Sequence, residues 1–252
     1  MHLLIFIFGL LIGSFLNVCI CRIPEEKSIA YPTSHCTKCR FHLKPMDLIP
    51  IFSFIAYRGR CKYCSGKISP QYPLVEIMNG ILYLLLFIKF GFSIEFLQYA
   101  LLSSLLVIIF GIDYSHQIIP DGLNKLILVL GILFHALPNF NSPNILLNNV
   151  LGFFVAGVLF LIIAVVTKGA MGGGDIKLMA VLGFWFGLKE VILITFLSFL
   201  LGGVLSVIIL SFKIKEREDF IPFGPFIVMA TIITIFYGNI ITNWYISTFH
   251  LY

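Results

Sequence analysis

Charge is scarce in this chain. Only 12% of its 252 residues are Asp, Glu, Lys or Arg, while 59% are hydrophobic, and the mean hydropathy is +1.01. A soluble globular domain averages about 25% charged and about 45–50% apolar residues, so a soluble fold is excluded. Period-two alternation is also missing, which excludes a membrane β-barrel. The apolar runs are continuous instead. A span in lipid must satisfy its own backbone hydrogen bonds, so these runs read as helices. The chain shows no internal repeat, no low-complexity segment and no separate soluble domain beyond residues 22–71. The N-terminus lacks a basic leader region and has no small-x-small cleavage site before Arg22. Met1 to Ile20 therefore reads as a retained first span and not as a signal peptide.

Eight candidate spans lie near residues 2–21, 73–90, 94–112, 121–137, 144–166, 175–188, 190–212 and 224–246. A straight span needs about 20 residues. The sixth is short, bounded by a glycine run and by Lys189-Glu190. The expected fold is an all-α polytopic membrane protein of about eight helices. It divides into a first helix (1–21), a cysteine-rich loop domain (22–71) and a membrane core (72–252).

The net charge of +5 raises nucleic-acid binding, but the positions of the bases argue against it. Nine of the seventeen Lys and Arg (Arg22, Lys27, Lys38, Arg40, Lys44, Arg58, Arg60, Lys62, Lys67) lie in one stretch after the first span. That is the pattern of a cytoplasmic loop under the positive-inside rule. With this loop in the cytoplasm the N-terminus is outside. Lys168, Lys177, Lys213, Lys215 and Arg217 then also fall inside, making fourteen of seventeen. Nucleic acid is not an expected partner; membrane lipid is.

The same topology gathers three acids at the cytoplasmic boundary. Asp113 ends span three, Asp121 begins span four and Asp175 begins span six. An ionisable group beside hydrocarbon costs ~2.5–3.5 kcal/mol on insertion scales, so it reads as functional and partnered. Asp175 follows Gly172-Gly173-Gly174, a run without the Gly-Lys-Ser/Thr ending of a phosphate loop and without a preceding strand. Glycine there would let a substrate backbone approach the acid, or serve as a hinge between spans. Two aspartates sharing a site divide the work of base and acid. One takes a proton from a water that attacks a peptide carbonyl; the other polarises the carbonyl and helps the amine leave. A proton-coupled transporter uses such acids too, but would show pseudo-symmetric halves, and none are visible. Asp113 and Asp121 are both candidate partners of Asp175; Asp121 has the simpler role of capping the helix after Pro120.

Cys36-Thr37-Lys38-Cys39 and Cys61-Lys62-Tyr63-Cys64 are two C-x2-C knuckles separated by twenty-one residues. Two knuckles complete a tetrahedral thiolate shell, which makes structural zinc the expected cofactor. The loop is cytoplasmic, where disulfides are disfavoured, and it has little core of its own, so a metal supplies folding energy. His35 and His42 are alternative ligands. Cys19 and Cys21, at the end of span one, read as apolar filler. Glu76, one turn into span two, either pairs with a base or serves a second activity.

These residues carry a resemblance over nearly the whole length. The chain resembles the bacterial type IV prepilin peptidases in seven ordered elements. They are Gly13-Ser14-Phe15-Leu16-Asn17-Val18 with Arg22-Ile23-Pro24, both knuckles, Tyr72-Pro73-Leu74-Val75-Glu76, Ile112-Asp113, Ile119-Pro120-Asp121, Met171-Gly172-Gly173-Gly174-Asp175-Ile176-Lys177-Leu178, and Pro222-Phe223-Gly224-Pro225. The resemblance implies an aspartic endopeptidase of the bacterial plasma or inner membrane, with Asp113 and Asp175 as the catalytic pair. Its substrates would be prepilins and pseudopilins, cut after a glycine at the cytoplasmic face. It further implies N-methylation of the new N-terminus with S-adenosylmethionine, for which Glu76 and Gly59 are the candidate residues.

Overall fold

The computed structural model describes residues 1–139, 142–169, 171–211 and 222–249. Lys213, Lys215 and Arg217 of the expected inner loop lie outside these residues, as do Phe140 and Asn141 of the expected outer turn and Ala170.

The described residues are all-helical, with two isolated β-bridges and no strand. The helices are α1 (His2–Arg22), α2 (Phe52–Ala56), α3 (Gln71–Phe90), α4 (Ile94–His116), α5 (Asp121–Gly131), α6 (Pro143–Val166), α7 (Gly173–Ser211) and α8 (Gly224–Phe249). Six of them, α1, α3, α4, α6, α7 and α8, are long and apolar enough to cross a bilayer.

The count differs from the eight expected spans for two reasons. The fourth corresponds to α5, 11 residues, continued by a π-turn over Ile132–Ala136; together they fall short of a standard span. The sixth and seventh form one element, α7, broken at Gly187 (φ 75, ψ −178). That φ is left-handed and favours glycine. The break is stitched from α6, where Asn148 Oδ1 accepts the Leu188 N–H at 3.2 Å.

The chain forms two compact units, Met1–Gly111 and Ile112–Tyr252. In the first, α1 packs on α3. Lipid offers no hydrophobic drive between helices, so small residues and polar ties bind them. Asn79 Nδ2 donates to the Gly9 carbonyl at 2.7 Å, and Asn17 Nδ2 to the Tyr72 carbonyl at 3.0 Å. Tyr83 Oη and Ser104 Oγ, 3.1 Å apart, extend the network to α4.

In the second unit α7 is central, packed by α5, α6 and α8. Gly152 of α6 and Gly183 of α7 meet backbone to backbone. A Cβ on Gly183 would lie 2.2 Å from the Gly152 carbonyl oxygen. Gly183→Ala is therefore expected to destabilise the protein by about 1–3 kcal/mol, as overpacking does. Thermal unfolding in detergent checks this; an unchanged midpoint would remove the contact.

Candidate active site

Asp113 lies in the last turn of α4. The helix closes there: Gln117, with φ 57, returns its N–H to the Asp113 carbonyl at 2.9 Å. The chain passes through Ile118-Ile119-Pro120 into α5. Asp175 lies in the first turn of α7. Both aspartates are buried, 5% and 7% exposed. Two residues remote in sequence are thus both withdrawn from water at helix ends.

Each carboxyl is held by one backbone donor. Asp113 Oδ2 accepts the Gly224 N–H at 3.0 Å, from the first residue of α8. A Cβ on residue 224 would stand 2.6 Å from that oxygen, so only glycine lets the helix end come so close. Asp175 Oδ2 accepts the Gly172 N–H at 3.2 Å. Asp175 Oδ1 is buried and has no hydrogen-bond partner. Ile119 lies against the first residues of both α7 and α8: Cβ atoms on Gly174 and Gly224 would meet it at 2.8 and 3.3 Å. Around Gly173 there is open space within 4 Å of where a Cβ would be.

Asp121 differs from expectation. The helix N-cap is Pro120, and no side chain caps it. Asp121 is already the first helical residue, where a carboxylate suits the helix dipole. Its two oxygens take the Lys177 Nζ at 2.7 and 2.8 Å. Both partners are more than half exposed, so the pair ties α5 to α7 with modest energy.

Asn124 was not singled out by its sequence. It is 4% exposed, and neither atom of its carboxamide has a partner. An orphan amide in a membrane helix stands out only after the fold is known, because single Asn residues carry no motif.

In the first unit the four cysteines converge. The Sγ atoms of Cys36, Cys39, Cys61 and Cys64 all lie within 4.8 Å of one another, with Cys36 and Cys64 at 3.9 Å. Zinc–sulfur bonds of about 2.3 Å in a tetrahedron put sulfurs about 3.8 Å apart, so the donor set fits that ion. The two knuckles repeat one local design. Cys36 N–H bonds to the Phe41 carbonyl and Cys61 N–H to the Gly66 carbonyl, with Arg40 and Ser65 left-handed at φ 57 and 56. Burial opposes ionisation of Cys36, but the N–H groups of Cys39 and Lys38 and the adjoining Cys61 and Cys39 thiols outweigh it and bring its pKa to about 6. At Cys39 the Phe41 N–H favours the thiolate, yet burial and the neighbouring sulfurs raise it to about 11. A cation among four sulfurs removes that conflict. The alternative ligands are engaged elsewhere: His42 Nδ1 meets Thr33 Oγ1 at 3.0 Å and His35 Nδ1 meets the Thr33 carbonyl at 3.1 Å. Cys19 is buried, as apolar filler should be; Cys21 is exposed, its Sγ 3.8 Å from Tyr72 Oη.

Glu76 of α3 is 7% exposed. It forms no ion pair among the described residues. Its Oε2 accepts the Ile51 N–H at 2.8 Å, and Ser14 is a second donor. Ile51 pays with φ 62, an uncommon conformation for a β-branched residue. Gly59, with φ 67, turns the chain after α2; a Cβ there would be 3.1 Å from the Phe54 ring.

Two family descriptions match the chain: "Bacterial Peptidase A24 N-terminal domain" over residues 7–90 and "Type IV leader peptidase family" over residues 100–207. Curated relatives match end to end. The prepilin leader peptidase/N-methyltransferase of Bacillus subtilis (strain 168) is 39% identical over 247 residues, 97% of each chain. That of Legionella pneumophila is 32% identical, over 98% of this chain and 95% of its own. That of Pseudomonas aeruginosa is 34% identical, over 95% and 91%. No solved structure matches.

Proposed function

The chain belongs to the type IV leader peptidase family, and from that premise we propose that it is a membrane aspartic endopeptidase that removes leader peptides from prepilins and pseudopilins and then N-methylates the new N-terminus. The observation that supports the peptidase reading is the burial of Asp113 at the end of α4 and Asp175 at the start of α7, beside Gly224 and Gly174, which both lie against Ile119.

One aspartate removes a proton from a water as its oxygen attacks the scissile carbonyl. The other gives its proton to the carbonyl oxygen. Collapse of the tetrahedral intermediate expels the amine, which takes the proton that the first aspartate received from water, while the second aspartate recovers its own from the hydroxyl that becomes the new carbonyl. The Gly224 and Gly172 N–H groups hold the carboxyls in place from behind. The unpartnered Asp175 Oδ1 is left to meet water or substrate. The space around Gly173 admits an extended backbone beside the acid. The unpaired Asn124 carboxamide offers both a donor and an acceptor, the complement of a peptide unit. Purified protein incubated with a prepilin tests the reading directly: leader release without added metal supports it, and an intact prepilin ends it. The transporter alternative has no support from the family.

For methyl transfer, S-adenosylmethionine would supply an electrophilic methyl group. Glu76 and Gly59 are the residues we assign to that activity. A buried carboxylate with no cation paired to it suits either the donor's sulfonium or the pilin's new amine. Gly59 leaves the backbone open beside the Phe54 ring. Glu76→Gln keeps the volume and can still accept the Ile51 N–H, but loses the charge. It is expected to leave leader cleavage intact and abolish N-methylation, read from the mass of the N-terminal peptide. A fully methylated product from this variant would remove Glu76 from the activity.

The protein is placed in the bacterial cytoplasmic membrane as a multi-pass protein, N-terminus outside and cysteine loop in the cytoplasm. That orientation follows from the Lys and Arg distribution and sets Asp113 and Asp175 at the inner face. The four cysteines hold structural zinc.

A further inference from the structure

We propose that residues 45–56, a 3₁₀ turn (Pro45–Leu48) followed by α2, form an interfacial segment seated in the headgroup region of an anionic phospholipid leaflet. The inference rests on reading α3 as a membrane span and on neither aspartate, so its failure would leave the peptidase reading intact.

The first observation is an apolar face turned outward from a loop otherwise expected to sit in water. Met46, Phe52 and Ile55 are 73%, 66% and 68% exposed. Phe52 and Ile55 are three residues apart on one helical turn, so they share a face. Leu48 and Ile49 add to the exposed apolar surface. Scattered single apolar residues on a surface need no explanation, but a contiguous set marks a contact.

The second observation is depth. Ile51, the residue before α2, is pinned through its N–H to Glu76 Oε2 at 2.8 Å. Glu76 is the sixth residue of α3, which begins at Gln71. At 1.5 Å per residue it lies about 7.5 Å along that helix. The main chain at Ile51 is therefore held level with the opening turns of a membrane span. Phe52 and Ile55 follow at once. A segment held at that level, with its apolar side outward, faces lipid and not bulk water. Ile51 adopts φ 62 to make the turn, so the tie is maintained against the preference of its side chain.

The third observation is charge. Lys44, Arg58 and Arg60 flank the segment and are exposed. Its one acid, Asp47, is turned inward: the side chain is 5% exposed, accepts from Tyr63 Oη at 2.9 Å and the Lys44 N–H at 3.1 Å, and faces Lys62 at 3.9 Å. Only cations are offered outward. An apolar strip edged by Lys and Arg is the pattern of an interfacial helix on anionic lipid.

The full-length protein is tested in vesicles of mixed phosphatidylglycerol and phosphatidylcholine. Phe52→Trp and Met46→Trp each add one indole, read as the difference from the unsubstituted protein because Trp185 and Trp244 also emit. Zinc content and prepilin cleavage confirm that each variant is folded. The expected result is that the added emission is lost to lipids brominated near the headgroup and kept against aqueous iodide. Quenching by iodide alone places the segment in water and overturns the proposal. Quenching by neither means that protein covers it, whether another part of this chain, a second copy or a partner, and overturns it as well. The choice of lipid is tested with Arg58→Gln/Arg60→Gln in the Phe52→Trp background. Lipid quenching should weaken, as it should in vesicles of phosphatidylcholine alone. Equal quenching in all three cases would overturn the anionic assignment.

Discussion

Asp113→Asn and Asp175→Asn are each expected to stop leader cleavage while leaving the protein folded. Asparagine keeps the size of aspartate, and its Oδ1 can still accept the Gly224 or Gly172 N–H that holds the native carboxyl. What it loses is the ability to take or give a proton. Acid–base groups contribute about 10²–10⁴-fold each, so single variants should fall by at least that range. Neither loss can be compensated by the other aspartate, because the two carry different roles in one turnover. Asp121→Asn is the control. Its carboxylate is exposed and bound to Lys177, a pair of a kind worth about 0–1 kcal/mol, and cleavage should persist. The measurement is leader release from a purified prepilin, with helicity and monodispersity checked in parallel. Full activity in either the Asp113 or the Asp175 variant would falsify the two-aspartate mechanism.

Metal removal is the second large effect. The purified protein is expected to hold one zinc per chain, and Cys61→Ser or a strong chelator should release it. Zinc bound by small cysteine-rich peptides is worth about 10–16 kcal/mol, and that binding energy is their folding energy. The loop between α1 and α3 has only a 3₁₀ turn and the five-residue α2 for secondary structure. Without the metal it should become protease-sensitive. The Ile51 N–H on Glu76 then goes with it, and methyl transfer is lost. Asp113 and Asp175 belong to the other unit, so cleavage should survive. Zinc content by elemental analysis, limited proteolysis and both activities on one preparation decide the matter. A loop that resists protease equally well with and without its cysteines would sink the metal assignment.

Much of the site was legible in the sequence because the membrane makes certain residues expensive. Asp113 and Asp175 stood out as acids at the ends of apolar runs. The topology that grouped them came from Lys and Arg alone. The knuckles were legible from spacing, since two thiolates two residues apart must turn toward a common point. The helix count was less legible. Hydropathy cannot tell a polar break from a bend, so α7 was divided at Lys189-Glu190, although the helix is interrupted at Gly187. The role given to Asp121 followed a local capping rule, and a long-range partner overrode it. Lys177 lies 56 residues away, beyond the reach of any local pattern. Asn124 and the Ile51–Glu76 tie were invisible for the same reason.

The sequence alone determined that this protein lives in a bilayer as helices, which residues are charged there, and that four cysteines can close on one ion. Those are consequences of solvation cost and short-range spacing, which act along the chain. Only the tertiary structure decided that Asp113 and Asp175 are both buried, that the Gly224 and Gly172 N–H groups hold them, and that Glu76 grips a strained loop. Such pairings depend on helix packing between distant segments, where contact geometry and not composition selects the partner.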